Sequence, residues 1–310
     1  MLAVALLACG RGEGHLVKQV ATVRSAPLPE AEPVPAPERD YLVWTGCDIS
    51  MNAYVSEAAE EYTRRSGVEV VITGGGATRG IRATVGGMSD IGGTCRHALC
   101  EEFPEEEGGA LLTHVAWDAL VFMTHRSNPV DGISLEQARG ILLGRIRNWK
   151  ELGGPDQAIL PVFRRQTTGG KLSGVGYMTR LLLFGDSSVD YTSNALFFAS
   201  SAPVEEYVEK TPHSFAVTGI SSARKRDAKV LSLEGVVPDK ASIASGAYPL
   251  FRPLYLATDG EPQGRAADFL DWILSEEGQA ILSRAGTVNL AEGQDLAARF
   301  LHWPEQGVRR

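Results

Sequence analysis

The chain has 310 residues, 44% of them hydrophobic and 22% charged, a globular profile with length for one or two domains and sizeable cores. Its formal net charge of −8 excludes nucleic acid as the main partner, because a duplex binder presents a basic face. Any attraction for an anion is therefore local rather than global.

Met1-Leu2-Ala3-Val4-Ala5-Leu6-Leu7-Ala8-Cys9-Gly10 is a short apolar run ending in Leu-Leu-Ala-Cys. It lacks a basic n-region but resembles a bacterial lipoprotein signal, so residues 1–9 are expected to be a signal segment with Cys9 as the lipidated residue. In residues 10–40, Pro27, Pro29, Pro33, Pro35 and Pro37 alternate with Ala, Glu and Val, the composition of an extended tether. No later segment reaches the roughly 20 apolar residues of a spanning helix, so a lipid anchor is the only membrane attachment expected.

From Tyr41 onward strands and helices alternate. Tyr41–Thr45 reads as a buried strand, and Met51–Arg65 as a helix with Val55, Ala58, Ala59 and Tyr62 at helical spacing and Gly67 as its end. Val68–Thr73 is a second strand. It runs into Gly74-Gly75-Gly76-Ala77-Thr78-Arg79-Gly80, with the second helix expected from Ile81 to Gly86. A strand turning through glycines into a helix start presents free amides and the positive end of a helix dipole, which is a place for an anion. Ser89-Asp90-Ile91-Gly92-Gly93-Thr94-Cys95-Arg96 then offers a second loop ending in a cation.

His114–Thr124 is a long strand candidate, and Ser134–Trp149 a helix opened by the capping box of Ser134 and Gln137. Phe215–Ile220, Ala228–Leu233 and Leu254–Thr258 read as strands. Ala266–Leu274 and Ser275–Ala285 read as helices, the second ending at Gly286. The alternation predicts a mostly parallel sheet covered on both faces, and the two long strands are candidate hinge crossings between lobes.

These residues carry a resemblance. Gly-Gly-Gly-x-x-x-Gly-Ile, Asp-Ile-Gly-x-x-x-Arg, Asn128-Pro129-Val130, the segment Gly144 to Gly154, Tyr248 to Tyr255 and Ser275-Glu276-Glu277-Gly278-Gln279 stand in the order of the phosphate-binding, periplasmic substrate-binding proteins of ABC transporters. The likeness runs from about 41 to 290. It implies an α/β, two-lobe periplasmic-binding-protein-like fold with two hinge crossings: lobe 1 from 41–117 and 254–300, lobe 2 from 118–253. It implies capture of phosphate or a related oxyanion, without catalysis or cofactor. The partners would be the small oxyanion, a membrane ABC permease and the membrane through a lipid anchor. The protein would be a monomer, periplasmic or cell-surface.

The resemblance also implies the ligand set Cys47, Asp48, Ala77, Thr78, Arg79, Cys95, Arg96, Arg164, Thr168 and Gly169. Cys47, Ala77 and Cys95 stand where relatives carry serine, and Gly170 where they carry threonine in Arg164-Arg165-Gln166-Thr167-Thr168-Gly169-Gly170. A thiol is a weak donor and alanine none, so the backbone amides and Arg79, Arg96, Arg164 and Arg165 must carry more of the site. Asp48 is placed to accept from a protonated oxyanion, while Asp90 is expected to cap its own loop. Cys47 and Cys95, on loops that meet in one cleft, are expected to form a disulfide, with Cys95–Cys100 and Cys47–Cys100 as other pairings. The alternative function is a sensor or redox module, or a thiol-based metal(loid) site using Cys47, Cys95 and His97.

Enzyme motifs do not emerge. There is no Walker-type loop, and Thr168 and Ser173 have no evident histidine base. His114 and His125 read as structural, and Ser221-Ser222-Ala223-Arg224-Lys225-Arg226 as a solvated basic turn.

Overall fold

The computed structural model describes residues 6–8, 40–165 and 173–301. The expected anchor residue Cys9, residues 10–39 of the tether, and Thr168 and Gly169 lie outside the described residues. The strands, in chain order, are β1 (Leu6–Ala8), β2 (Tyr41–Gly46), β3 (Glu69–Thr73), β4 (Ile91–Thr94), β5 (Ala110–His125), β6 (Gly132–Ile133) and β7 (Leu160–Arg164). They continue as β8 (Leu196–Phe198), β9 (Ser214–Gly219), β10 (Ala228–Val230), β11 (Ser232–Leu233), β12 (Phe251–Asp259) and β13 (Val288–Asn289).

Hydrogen-bonded neighbours run β3-β2-β4-β12-β5-β9-β7-β8. β2 lies parallel to β3 and β4, and β7 parallel to β8 and β9, but every pairing of β5 and β12 is antiparallel, so the sheet is mixed rather than mostly parallel. β5 joins the two halves. Ala110–Ala119 pairs antiparallel with β12, and Leu120–Thr124 pairs antiparallel with β9. One strand thus serves both lobes, and β12 returns beside it. Leu6–Ala8, inside the expected signal segment, lies antiparallel to Leu111–Thr113 of β5.

Helices cover both lobes and bury apolar stripes on the sheets. Tyr62, Phe269 and Trp272 pack as one aromatic group under lobe 1, with Tyr62–Phe269 centroids 4.9 Å apart. Phe122 stacks on Phe215 at 5.5 Å in lobe 2. Each such fully buried side chain contributes about 1.5–3 kcal/mol.

Three local expectations are revised. The helix opened by Ser134 ends at Leu142, because Gly144 takes φ 72° and turns the chain; Trp149 begins a separate 3₁₀ turn. Ala228–Leu233 is two short strands, one on β5 and one on Gly132–Ile133. The supposedly solvated turn at 221–226 begins as a helix whose Ser221, Ser222 and Ala223 are buried.

Candidate functional site

The glycine run leads straight into a helix, Ala77–Val85, which starts four residues earlier than the apolar pattern alone suggests. Its N-cap is Gly76, at φ 101° and ψ 165°, a backbone region open in practice to glycine only. Gly76 has no side chain, so no side chain caps this helix. The first-turn amides of a helix lack intrahelical carbonyls and carry the positive end of the dipole. Here they face a cleft instead of a cap. Gly80, one turn on, lets the helix sit against the sheet: a Cβ there would lie 2.6 Å from the Gly93 carbonyl oxygen.

Two further helix starts reach the same place. A continuous helical stretch, 48–66, begins after Cys47, whose Sγ accepts from the Ser50 amide at 3.3 Å. From lobe 2, Gly174–Phe184 begins after Ser173, whose hydroxyl accepts from the Gly176 amide at 3.2 Å. Between the starts lies a small void of about 10 Å³, lined by Cys47, Asp48, Gly76, Ala77, Cys95 and Arg164 among others. That is room for about one water.

Arg164, at the end of β7, supplies the charge. Its side chain is only 9% exposed, its Nη1 stands 3.9 Å from Asp48 Oδ2, and a Cβ on Gly76 would meet its Nη2 at 3.2 Å. Nε and Nη1 of this guanidinium are buried without a hydrogen-bond partner among the described residues. Burial pushes its pKa down, against the pull of Asp48 and the two thiols. Unsatisfied buried donors are expensive, and an anion in the void is the group that would satisfy them. Asp48 is engaged across the cleft: its Oδ2 accepts from the Ser201 amide of lobe 2 at 3.3 Å. It therefore ties the lobes together.

Arg96 leaves the expected ligand set. It is fully buried, and its guanidinium is held by Glu107 through two 2.8 Å hydrogen bonds. It also donates to Thr78 Oγ1 at 2.9 Å and to the His97 carbonyl at 2.7 Å. Glu107 accepts in addition from the Leu99 amide and Arg82. Burial pushes the Glu107 carboxyl up, but these donors outweigh it and hold its pKa below the usual range. The arginine after Asp-Ile-Gly is thus a pillar under Thr78 rather than a ligand donor. Arg79 lies outside the small void; its exposed side chain folds over Gly75 and lines a larger neighbouring cavity. Asp90 accepts from the Val43 amide of the neighbouring strand at 2.6 Å.

The expected disulfide is absent. Cys47 and Cys95 are both free, buried thiols in hydrogen-bond contact with each other. Cys100 is disulfide-bonded to neither of them. Burial, then contact with Cys95, pushes the Cys47 thiol well up. The hydrogen bond from Cys47, against the cost of burial, pulls Cys95 down to about 7, helped by Arg252 and Arg96 and opposed by Asp118. The pair therefore releases its first proton easily and holds the second. His97 stands apart from the thiols, hydrogen-bonded to the Tyr177 hydroxyl at 3.0 Å. No cluster of three metal-ligating side chains occurs among the described residues.

Arg252 and Asp118 escaped the sequence reading. Both are fully buried where β12 and β5 pass between the lobes, joined at 3.0 Å, with Ser221 donating to Asp118 from its amide and hydroxyl. The motif Phe251-Arg252-Pro253 was visible, but nothing local pairs it with a carboxylate more than a hundred residues away. His114 is structural, as read: its Nε2 meets the Ala116 carbonyl at 3.0 Å and its ring packs on Trp117, and burial lowers its pKa to about 4.

Two lobes joined through long shared strands, with a buried arginine whose N–H groups are unsatisfied and an uncapped helix start at their junction, define a two-lobe solute-binding protein. Residues 32–277 match the model of the PBP superfamily domain, and the chain belongs to that family. The phosphate-binding protein PstS of Bacillus subtilis is 29% identical over 236 residues, 74% of this chain and 73% of that protein. PstS of Borreliella burgdorferi is 25% identical over 82% of this chain and 91% of its own length. Among solved structures, a candidate phosphate ABC transporter substrate-binding protein of Clostridium perfringens, crystallised with bound phosphate, superposes with a TM-score of 0.72 at 26% identity. That match covers 80% of this chain and 98% of that one.

Proposed function

We propose that the protein is an extracytoplasmic solute-binding protein that captures phosphate or a related oxyanion and delivers it to an ABC permease. The observation that carries this is Arg164, buried with two N–H groups that find no hydrogen-bond partner among the described residues, beside the uncapped start of Ala77–Val85. The PstS relatives support it, as does the phosphate in the Clostridium perfringens structure. The anion docks on the amides after Gly76 and on those around Cys47. Lobe 2 brings Arg164 and the helix after Ser173 across it, and Asp48 with the Ser201 amide latches the closed form. The lobes are taken as 41–117 with 254–300, and 118–253, because β5 and β12 cross there. Catalysis has no part in this scheme. No helix among the described residues is long and apolar enough to cross a membrane, and we assign attachment to a lipid on Cys9, with the protein acting as a monomer.

The test is calorimetry of the full chain, kept reduced, with phosphate, arsenate, sulfate and molybdate. Saturable one-to-one binding of at least one oxyanion is expected. Absence of heat and of thermal stabilisation with all four overturns the reading.

A second reading rests on the Cys47–Cys95 contact: a thiol module on the same fold, sensing oxidants or holding a soft metal(loid). It predicts that thiol oxidation, not anion, produces the larger thermal shift. Titration of the two thiols with and without reductant separates the readings.

A further inference from the structure

Beside the small void lies a cavity of about 560 Å³, within the range of small-molecule sites. The two share Gly76, Arg164 and Ser173, so they form one continuous cleft. Orthophosphate needs only the Arg164 end of that cleft. Two sulfur atoms and the Ala77 methyl line the void, where the resemblance leads one to expect hydroxyls.

The larger cavity has its own charge. Arg79 and Arg165 line it from opposite lobes, and neither has a carboxylate partner among the described residues. Arg82 also lines it, although its Nε is engaged by Glu107 at 3.0 Å. No aspartate or glutamate is among the described lining residues. In a chain of net charge −8 that concentration of unbalanced arginine is local and directional. The Thr45 and Ser89 hydroxyls, hydrogen-bonded to each other at 2.5 Å, leave one O–H to donate, and Val43, Ala83 and Met88 give the wall an apolar stretch. Arginines from both lobes together with an apolar wall are complementary to a small organic body that carries more than one anionic group.

We propose that the preferred ligand is a phosphorylated organic acid: a phosphoryl group at Arg164 and the Ala77 helix start, and a second anionic group at Arg79 and Arg165. The proposal rests on the oxyanion-capture reading and names the substrate class of the same cleft. It makes Arg79 and Arg165 specificity-determining residues that a bare oxyanion does not reach.

Calorimetry of the full reduced chain tests it with four probes. Orthophosphate and methylphosphonate carry the phosphoryl head alone. Pyrophosphate adds a second charge without an organic body, and phosphonoacetate adds both. Phosphonoacetate is expected to bind about tenfold or more tighter than orthophosphate and methylphosphonate, the contribution of one charge-assisted contact pair. Arg79→Ala with Arg165→Ala should remove that advantage, lowering phosphonoacetate affinity about tenfold more than orthophosphate affinity. Pyrophosphate binding as tightly as phosphonoacetate would overturn the organic-body part, by showing that charge alone is read. Equal or tighter binding of orthophosphate would overturn the proposal and leave oxyanion capture standing. Failure of every probe would overturn both.

Discussion

Arg96 and Arg164 sit on either side of one cleft and both are buried, yet they have opposite surroundings. Arg96 meets a carboxylate, a hydroxyl and a carbonyl that use both of its terminal nitrogens. Arg164 meets glycine backbone, a carboxylate 3.9 Å away and otherwise empty donors. A guanidinium in a protein interior must be balanced. Arg96 is balanced by a carboxylate in direct hydrogen-bond contact, whereas Arg164 has only Asp48 at 3.9 Å and keeps two N–H groups for whatever enters. The difference between a structural arginine and a ligand arginine is thus not burial or position in a motif. It is whether the chain itself supplies the anion.

The comparison can be broken most severely at Glu107. Glu107→Gln leaves Arg96 charged, buried and without its counter-ion, and should cost about 3–5 kcal/mol of stability in urea denaturation. Because the carboxyl is held below its usual pKa, the wild-type contribution is present at neutral pH and is lost as pH falls through that lowered value, below about 4.5. A loss under 1 kcal/mol would show that Arg96 is not the balanced partner described. Arg164→Met should do the converse. It removes two N–H groups that find no hydrogen-bond partner among the described residues, so unliganded stability should hold or rise. Phosphate affinity should fall roughly 10- to 100-fold by calorimetry, the span of a lost charge-assisted hydrogen bond. Parallel losses of stability in both variants would erase the distinction.

That distinction was only half legible in the sequence. Gly74–Gly80 announced an anion-directed helix start, because the glycines and the β-branched run before them are local signals, and the structure places that start at the cleft. Ser134 with Gln137 fixed its capping box for the same reason. Arg96 and Arg164, however, look alike as arginines in loops. Their roles are set by Glu107, whose carboxyl reaches Arg96 only because Pro104–Glu107 folds as a short helix beneath it. The Asp118–Arg252 pair was invisible for the same reason at longer range. The thiols were located correctly and mispaired: adjacency in a cleft was foreseeable, but whether two sulfurs bond depends on geometry no spacing encodes.

Thr78 links the two regions, since its hydroxyl accepts from Arg96 while its residue lines the larger cavity. Thr78→Val keeps the shape and removes the acceptor. It should cost about 1.5 kcal/mol of stability, a hydrogen bond to a charged group. Its effect on phosphate affinity should be several times weaker than that of Arg164→Met. A phosphate effect as large as that of Arg164→Met would move the Arg96 region into the binding machinery and collapse the contrast.

The last test concerns the thiols, where no partner is deleted and only a proton moves, and it sharpens what balances Arg164 when no ligand is present. The Cys95 thiol, drawn down to about 7, places a thiolate in the cleft above that pH. A thiolate and an incoming oxyanion compete for the same positive field, so binding requires the thiol to take back its proton. Anion affinity should then fall as pH rises through about 7, by up to about tenfold per unit, one proton bound per anion. Cys95→Ser has no such proton to lose and should bind with no such fall. Taking the ratio of the two affinities at each pH cancels the ligand's own ionisation. A ratio that drops between about pH 6 and pH 8 shows the thiolate standing in for the missing anion. A flat ratio shows that Arg164 waits without a substitute, and that the sulfur pair bears on the cleft through its bulk alone.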